Sequence, residues 1–244
     1  MSLAKAHFLR VRAAEASAST AHGEPIDATA YELMLMQLAE HRRRLKAVQS
    51  VERKVEMKRR ILPEYAPWID GVLQAGRGGQ DKVLMTVMVW HMDAGNFAEA
   101  LRIAEYALRF DLAMPDDYQR TTATVIGDEV ADAALLAQAG GAAFDLDVLT
   151  QAEALTREAD MPDEVRAKLH KAIGIEHMGR AGEAPHSGAS RPWAESAREH
   201  LRRALQLHDR VGVKKEIERL DRALKQPFST SGAPGVAKRK KRRS

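Results

Sequence analysis

Apolar residues recur every three or four positions along most of the chain, the spacing that places side chains on one face of an α-helix. The clearest example is the stretch at 97–110, where Phe97, Leu101 and Leu108 share such a face. A Gly-Asn pair separates this stretch from the apolar run at 83–90. The pattern predicts a helical hairpin in which small alanine side chains let the two helices pack closely.

A second hairpin is predicted closer to the end of the chain. Its second helix carries Ala197 and Ala204, which repeat the seven-residue spacing of Ala100 and Ala107 in the first hairpin. About 50 residues with a less regular pattern separate the two hairpins, whereas a solenoid needs about three adjoining repeats. We therefore predict an all-α fold that contains hairpins of tetratricopeptide-like character without forming a repeat array.

No glycine or proline interrupts the segment between Ala28 and Leu62, which predicts one long helix. Heptad steps along this segment give mostly apolar rows, as in a coiled coil that joins subunits. The alternative is a solitary amphipathic helix that packs on its own domain. The residues expected in a contact between subunits are Leu38, Leu45, Val48 and Val55.

Breaks in the helical pattern divide the chain into five segments. Proline and glycine clusters mark most of the breaks, and the last segment combines Pro, Gly and Ser with a run of charge, which is typical of disorder. The predicted segments are an N-terminal helical arm at 1–27, a long basic helix at 28–62, a helical domain with the first hairpin at 63–125, a helical domain with the second hairpin at 126–225, and a disordered basic tail at 226–244.

Composition excludes several classes of protein. The 244 residues include no cysteine, so neither a disulfide framework nor a thiolate metal site is expected. The longest apolar stretch, at 83–90, is far shorter than the roughly 20 residues that span a membrane. The N-terminus lacks the apolar core of a secretory signal. We expect a soluble cytoplasmic protein without a membrane partner.

The net charge of +4 is unevenly distributed. Six consecutive Lys and Arg residues stand at 238–243, and nine more lie between positions 40 and 60 beside three glutamates. Two concentrated basic regions indicate a polyanion, and DNA is the expected one. For the tail, the alternative is a solvated segment that only aids solubility. The predicted DNA-binding residues are Arg42, Arg43, Arg44, Lys46, Arg53, Lys54, Lys58, Arg59, Arg60, Lys238, Arg239, Lys240, Lys241, Arg242 and Arg243.

One acidic segment has two interpretations. Pro162 and Asp163, followed by Glu164 and Lys168, faintly resemble the PD…(D/E)xK arrangement of metal-dependent nucleases. Those enzymes usually carry their carboxylates on strands, whereas here the acids open a predicted helix. Asp160 could cap that helix, and the other two acids would complement its dipole. Capping is the preferred interpretation, and no catalytic residue is assigned.

Histidine and glycine patterns predict neither a metal site nor a nucleotide site. The histidines that bound 170–177 and 200–208 lie about two helical turns apart, not at the i, i+4 spacing of a helical zinc pair. The glycines at 76–79 do not form a Walker loop, because no Ser or Thr follows Lys82. We predict an ordinary connection at these glycines, no metal ligand and no cofactor.

Five stretches carry a resemblance to a known family. They are the run at 67–81 with Pro67-Trp68, Gly71-Val72-Leu73, Gly76, Gly78 and Gln80-Asp81, "VLMTVMVW" at 83–90, "GNFAEALRIAEYAL" at 95–108, "ADMPDEVRAKLHK" at 159–171 and "GVKKEIERL" at 212–220. Over about residues 5–225 and in the same order, the chain resembles the small terminase subunit of temperate contractile-tailed phages that package DNA with cohesive ends. This family is often called the phage M protein, and its label commonly reads "terminase, endonuclease subunit".

The resemblance implies that the chain joins an ATPase large subunit and directs cutting at the cohesive-end site. We expect it to bind double-stranded phage DNA, to assemble with its own copies into a ring, and to work in the host bacterial cytoplasm. One alternative is that the chain is itself the endonuclease and holds Mg²⁺ through Asp160, Asp163 and Glu164. Another is a helical-repeat adaptor that binds only proteins. Family members often carry an acid at the position of Lys82, a departure that would leave Asp81 unpaired in a metal-binding carboxylate pair.

Overall fold

This computed structural model describes residues 2–22, 28–115, 118–183, 185 and 188–225. Over these residues every regular element is helical, which confirms the predicted all-α fold. A short 3-10 turn, Leu62–Glu64, lies between the third and fourth α-helices. The α-helices are α1 Leu3–His22, α2 Ala28–Ala47, α3 Val51–Ile61, α4 Ala66–Ala75, α5 Lys82–Asp93, α6 Phe97–Arg109, α7 Thr122–Ala139, α8 Leu146–Thr156, α9 Asp163–Ala181, α10 Arg191–Leu207 and α11 Lys214–Leu224.

No α-helix in the described ranges combines the length and the apolar character that a membrane crossing requires. The tail at 226–244, predicted to be disordered, lies outside the described residues. The predicted division of the helical part at 125/126 stays a prediction.

The segment at 28–62 is two helices, so the prediction of one uninterrupted helix is wrong. The chain leaves helical geometry after Ala47, and Ser50 adopts an extended conformation that starts α3. The Ser50 hydroxyl accepts a hydrogen bond from the backbone N–H of Arg53 at 3.3 Å. A serine cap satisfies one of the N–H groups that a helix start leaves unpaired. A helix can therefore stop and restart without any glycine or proline.

The first predicted hairpin is present as α5 and α6. Gly95 in the connecting turn has a φ of 76°, a left-handed conformation that glycine adopts without steric cost. On α6, Ala100, Ala104 and Ala107 are fully buried, so the small side chains do allow close packing. The hairpin itself is confirmed, while its likeness to a tetratricopeptide unit stays a prediction.

The N-terminal helix α1 crosses α4 at very short range. A Cβ atom added to Gly71 would lie 2.3 Å from the carbonyl oxygen of Arg10 and 2.8 Å from the Cβ atom of Ala13. Only glycine permits this approach, because a backbone atom on the facing helix occupies the space of a side chain. The arm thus belongs to the same core as α2, α4 and α5.

The second predicted hairpin is present as α9 and α10, and α11 packs against α10. Leu201 of α10 lies over Gly174 of α9, where an added Cβ atom would come within 2.6 Å of the leucine side chain. Ala197 and Ala204 are fully buried in this contact region. They belong to a second apolar cluster, which joins part of α9 to α10 and α11.

Candidate nucleic-acid interface

The predicted DNA-binding residues of the central segment lie on the C-terminal half of α2 and along α3. Arg44 and Lys46 occupy the last turn of α2, whereas Lys58, Arg59 and Arg60 occupy the last turn of α3. A helix carries partial negative charge at its C-terminus, so cations are favoured there. The dipole of each helix therefore stabilises the cations in its last turn.

The fold brings the two basic stretches together around one groove of about 530 Å³. The end of α2 and the face of α3 supply its walls, and α5 contributes the nearly buried Trp90. Five of the lining side chains are cationic and none is acidic, so the groove attracts anions. We define the basic groove by its lining residues, Arg42, Arg43, Leu45, Lys46, Lys54, Lys58 and Trp90.

Two residues of α3 fix that helix to the turn of the α5–α6 hairpin. Lys58 Nζ lies 2.5 Å from Asp93 Oδ2, and the Lys58 side chain is only 14% exposed. Arg59 Nε donates a hydrogen bond to the carbonyl oxygen of Ala94 at 3.1 Å. Lys58 and Arg59 therefore position the α3 wall as well as contributing charge.

Aromatic contacts hold Trp90 and the α2 wall in place. The Trp90 ring meets Tyr65 edge-on, with ring centroids 6.0 Å apart. The hydroxyl of Tyr65 lies 2.8 Å from Nδ1 of His41 on α2. Burial lowers the pKa of His41 and raises the pKa of Tyr65, so both side chains are neutral at pH 7. The charge of the groove therefore comes from lysine and arginine.

The remaining cations of the segment differ in their pairing. Arg43 pairs with Glu40, and Arg60 lies 3.9 Å from Glu56; both are exposed pairs within one helix. Such pairs contribute little stability and exchange readily for other partners. Among the described residues, no carboxylate forms an ion pair with Arg44, Lys46, Arg53 or Lys54. The predicted tail residues, Lys238–Arg243, lie outside the described residues.

The residues predicted to join subunits are not all on the surface. Leu38 and Leu45 are 2% and 7% exposed and belong to the core of the monomer, whereas Val48 and Val55 are partly buried. In this fold the two leucines cannot face a second subunit, which corrects the predicted contact. The same heptad pattern serves a core helix and a coiled-coil seam, and the pattern alone does not separate them. Assembly of the chain with its own copies stays a prediction.

The acids of the nuclease alternative lie at the start of α9. Asp163 and Glu164 occupy its first turn, as predicted, but the N-cap is Pro162 and no side chain caps the helix. Asp160 precedes the cap by two residues, so the predicted capping by Asp160 is wrong. Within the described residues, no three histidine, aspartate or glutamate side chains are arranged so that they could hold a metal ion.

Two other side chains of this segment have clear structural partners. Arg166 donates to the carbonyl oxygens of Arg157 at 3.0 Å and Ala159 at 2.8 Å, which follow α8. Lys168 lies 2.5 Å from Asp128 and 2.6 Å from Asp132 on α7. The segment that resembles a nuclease motif therefore joins α7, α8 and α9.

The glycine-rich connection before α5 packs against aromatic rings. The backbone N–H of Gly78 donates to the Tyr106 hydroxyl at 2.7 Å. A Cβ atom on Gly78 would lie 2.3 Å from the Phe110 ring. This close approach accounts for the glycine.

Asp81 is the N-cap of α5. Its buried carboxylate accepts hydrogen bonds from the backbone N–H groups of Val83 at 2.7 Å and Leu84 at 3.0 Å, and from the Trp68 indole at 2.8 Å. Burial raises the pKa of Asp81, while these hydrogen bonds oppose the increase. Three donors fix the carboxylate in a capping role, a role that the sequence analysis did not assign to it.

Sequence reasoning also missed the side chains that shape the basic groove. Trp90 belongs to an apolar run that reads as core, and Asp93 and Ala94 precede a turn without a motif of their own. The signal that the sequence offered was the concentration of lysine and arginine in the segment that forms α2 and α3. The partners of that charge depend on tertiary packing.

The fold and the groove define an all-α protein with a cationic surface, and sequence comparison identifies its family. The sequence pattern of the phage small terminase subunit matches residues 35–164. The chain is 46% identical over 237 residues to the "Terminase, endonuclease subunit" of Escherichia phage P2, an alignment that covers 95% of this chain and 91% of that relative. The chain therefore belongs to the phage small terminase subunit family, which gives it a role in phage DNA packaging.

A second relative is more distant. The chain is 31% identical over 78 residues to the "Probable terminase, endonuclease subunit" of Haemophilus phage HP1 (strain HP1c1), over 32% of this chain and 28% of that protein. No solved structure is a significant match.

Proposed function

We propose that this chain is the DNA-recognition subunit of a phage packaging terminase. It binds double-stranded phage DNA near the cohesive-end site and presents that DNA to the large ATPase subunit, which then cuts and packages it. The observation that carries the proposal is the basic groove, with five cationic side chains and no acidic one. Copies of the chain act as a ring homo-oligomer in the host cytoplasm, without a cofactor.

The physics of the groove suits a phosphate backbone. Lysine and arginine neutralise phosphates and release condensed counterions, which makes binding strongly dependent on salt. Lys46 and Lys54 are available for this role because they have no acidic partner among the described residues. The cations at Lys238–Arg243 add further contacts that do not depend on sequence. These contacts supply affinity and position, whereas base edges supply specificity.

The name of the phage P2 relative, "Terminase, endonuclease subunit", favours a second candidate function, that of an endonuclease, and Mg²⁺ is the metal ion that we propose for it. In that case Asp160, Asp163 and Glu164 would hold the metal ion, and another group would activate water. The purified subunit alone would then cut end-site DNA when Mg²⁺ is added. Cutting of this kind would replace the recognition proposal.

Charge reversal in the groove tests the recognition proposal. We expect Lys46→Glu with Lys54→Glu to weaken binding of end-site duplex by at least about tenfold and to reduce the slope of log affinity against log salt by about 1.8. The matched control is Lys215→Glu with Arg219→Glu, the same charge change on exposed positions of α11. Fluorescence anisotropy over a series of salt concentrations measures the affinity and its salt dependence for each double variant. Equal losses in the two variants would contradict a DNA site in the groove.

Deletion of residues 236–244 tests the tail. The slope should become shallower by about 0.9 for each phosphate contact that the tail makes. Affinity for end-site and unrelated duplexes should fall by the same factor. Footprinting on end-site DNA, with and without the large subunit and Mg²⁺, then tests whether the chain protects the site that is cut.

A further inference from the structure

Three histidines that lie far apart in the sequence meet between α9 and α10. Nδ1 of His170 lies 3.0 Å from Nδ1 of His200. The ring of His177 stacks on His200, with centroids 5.6 Å apart and ring planes 19° apart. Trp193 extends the stack, 5.5 Å from His177, and the guanidinium of Arg180 lies over its ring. We call His170, His177 and His200 the histidine stack.

This geometry requires that at least one of the His170 and His200 rings be neutral. A hydrogen bond between two Nδ1 atoms needs a proton on one of them and a lone pair on the other. If both atoms carried protons, the bond would become a contact between two donors. His177 Nδ1 is buried and has no hydrogen-bond partner among the described residues, so a proton there would gain no acceptor without a rearrangement.

The surroundings keep the rings neutral in the folded chain. Burial is the largest effect on each ring and lowers its pKa, in the case of His170 to about 4. The nearby charges are mixed, since carboxylates raise these pKa values and guanidinium groups lower them. The charged groups that face the stack are Glu153 from α8, Arg166, Glu176 and Arg180 from α9, and Glu199 and Arg203 from α10.

Most acids near the stack already have other partners. Glu153 is hydrogen-bonded to Arg157, and Glu176 accepts from the backbone N–H of Phe144. On the neighbouring helices, Asp132 of α7 pairs with Lys168 and Asp221 of α11 pairs with Arg202. A newly charged imidazole would therefore find little compensation unless the helices separate.

The contact between α9 and α10 beside the histidine stack depends on close packing. Gly174 of α9 and Leu201 of α10 touch along the same pair of helices. Lys171 of α9 adds one hydrogen bond to the carbonyl oxygen of Val211, just before α11. Separation at the stack would therefore release α10 and α11 together, while the larger core formed by the preceding helices is retained.

We propose that the histidine stack is an acid-sensitive switch that holds α10 and α11 on α9 at neutral pH and releases them in mild acid. The sign follows from linkage. The unfolded or released chain takes up protons near pH 6.5, whereas folded His170 does so only near pH 4. Below pH 6.5 the released state binds more protons, so the stability of the contact falls as the pH decreases through this window. Above pH 7 the stack has no pH dependence.

Amide hydrogen exchange of the full chain, corrected for intrinsic rates, tests the switch. Between pH 7.5 and pH 5 we expect protection in α10 and α11 to fall by about tenfold relative to protection in α5 and α6. His170→Phe with His200→Phe keeps two rings of similar size without titration, and should abolish most of that relative loss. His7→Phe, at an exposed position of α1, is the matched control and should behave as the wild type.

A histidine-labelled NMR titration of the wild-type chain keeps the proposal testable if the double variant does not fold. We expect the three stack histidines to remain neutral well below pH 6.5 until α10 and α11 lose protection. Protonation of all three near pH 6.5 without any loss of protection would overturn the proposal. Equal loss of protection in α5, α6, α10 and α11 would also overturn it, because the acid effect would then be global.

Discussion

The basic groove and the histidine stack place basic side chains in opposite settings. Around the groove, most lysines and arginines lie at the surface, and Lys46 and Lys54 have no acidic partner within the described chain. Between α9 and α10, imidazoles pack on each other and burial lowers their pKa values. The difference shows that the surroundings of a basic side chain decide whether it is charged at neutral pH. One region carries permanent positive charge, whereas the rings of the other are neutral at pH 7.

The largest expected effect is on stability and concerns two buried leucines of α2, the helix that forms one wall of the basic groove. Leu38→Glu with Leu45→Glu buries two carboxylates in the core, and we expect a loss of about 4 kcal/mol or more, enough to unfold this region. Circular dichroism and light scattering measure the result. The control is Leu33→Glu with Met36→Glu, at positions that are 60% and 69% exposed on the same helix, which should keep the fold. A folded but smaller species from the first variant would restore the predicted contact between subunits.

Next in size are two glycines, one at the contact of α1 with α4 and one at the contact of α9 with α10 beside the histidine stack. Gly71→Ala should cost about 3 kcal/mol, because the new methyl group meets a backbone oxygen that cannot move alone. Gly174→Ala should cost less, about 1–2 kcal/mol, because its nearest neighbours are side-chain atoms of Leu201 and the nearest backbone atom, the carbonyl oxygen of Ala197, lies 3.2 Å away. Gly179→Ala on α9 meets no atom within 4 Å and should be neutral or stabilising by about 0.5 kcal/mol. Chemical denaturation measures all three, and a larger loss at Gly174 than at Gly71 would contradict the ranking.

A smaller effect is expected at the ion pair behind the groove. Asp93→Asn should lower stability by about 1 kcal/mol, since Lys58 is largely buried and loses its partner. The same change releases Lys58 toward the groove and should raise affinity for DNA by roughly threefold. Glu40→Gln removes the exposed partner of Arg43 and should change stability by less than about 0.5 kcal/mol. If both variants lose the same stability, Lys58 does not hold α3 on the hairpin.

The smallest effects are expected at the start of α9. Asp163→Asn and Glu164→Gln should each cost about 0.3–1 kcal/mol through the helix dipole, and Asp160→Asn less, because Asp160 does not cap the helix. Cutting of end-site DNA by the reconstituted two-subunit terminase should stay within a few-fold of wild type. A variant that folds and binds DNA but loses a cutting activity of the subunit alone would make this chain the nuclease.

The helices and their pairing into hairpins could be predicted from the sequence where apolar residues recur at regular helical spacing. The hairpins at α5–α6 and α9–α10 followed from the spacing of alanines and leucines together with a glycine turn. The break at Ser50 could not be predicted with the same ease, because a single serine cap acts locally and leaves the apolar period intact. Leu38 and Leu45 show a related limit, since one pattern describes both a buried face and an intersubunit face.

The sequence predicted which side chains of the site carry charge, but it did not predict how they are arranged in space. The cations of α2 and α3 stand out in the sequence, but the presence of Trp90 between them depends on how α5 packs. The histidine stack shows the limit more sharply, because His170 and His200 are 30 residues apart and belong to different helices. The i, i+4 spacing rule for paired histidines applies within one helix, so it does not identify a pair that forms between two helices.

The cap at Ser50 also changes the shape of the electric field around the chain. In one straight helix, Arg42 and Lys58 would lie about 24 Å apart along the axis, more than twice the distance over which physiological salt screens a charge. Because the chain stops and turns before α3, both residues line a single concave surface instead. Field lines converge in a concavity with low-dielectric walls, and local counterion density rises there. The break between α2 and α3 thus brings charges that one straight helix would spread along its axis onto one concave surface.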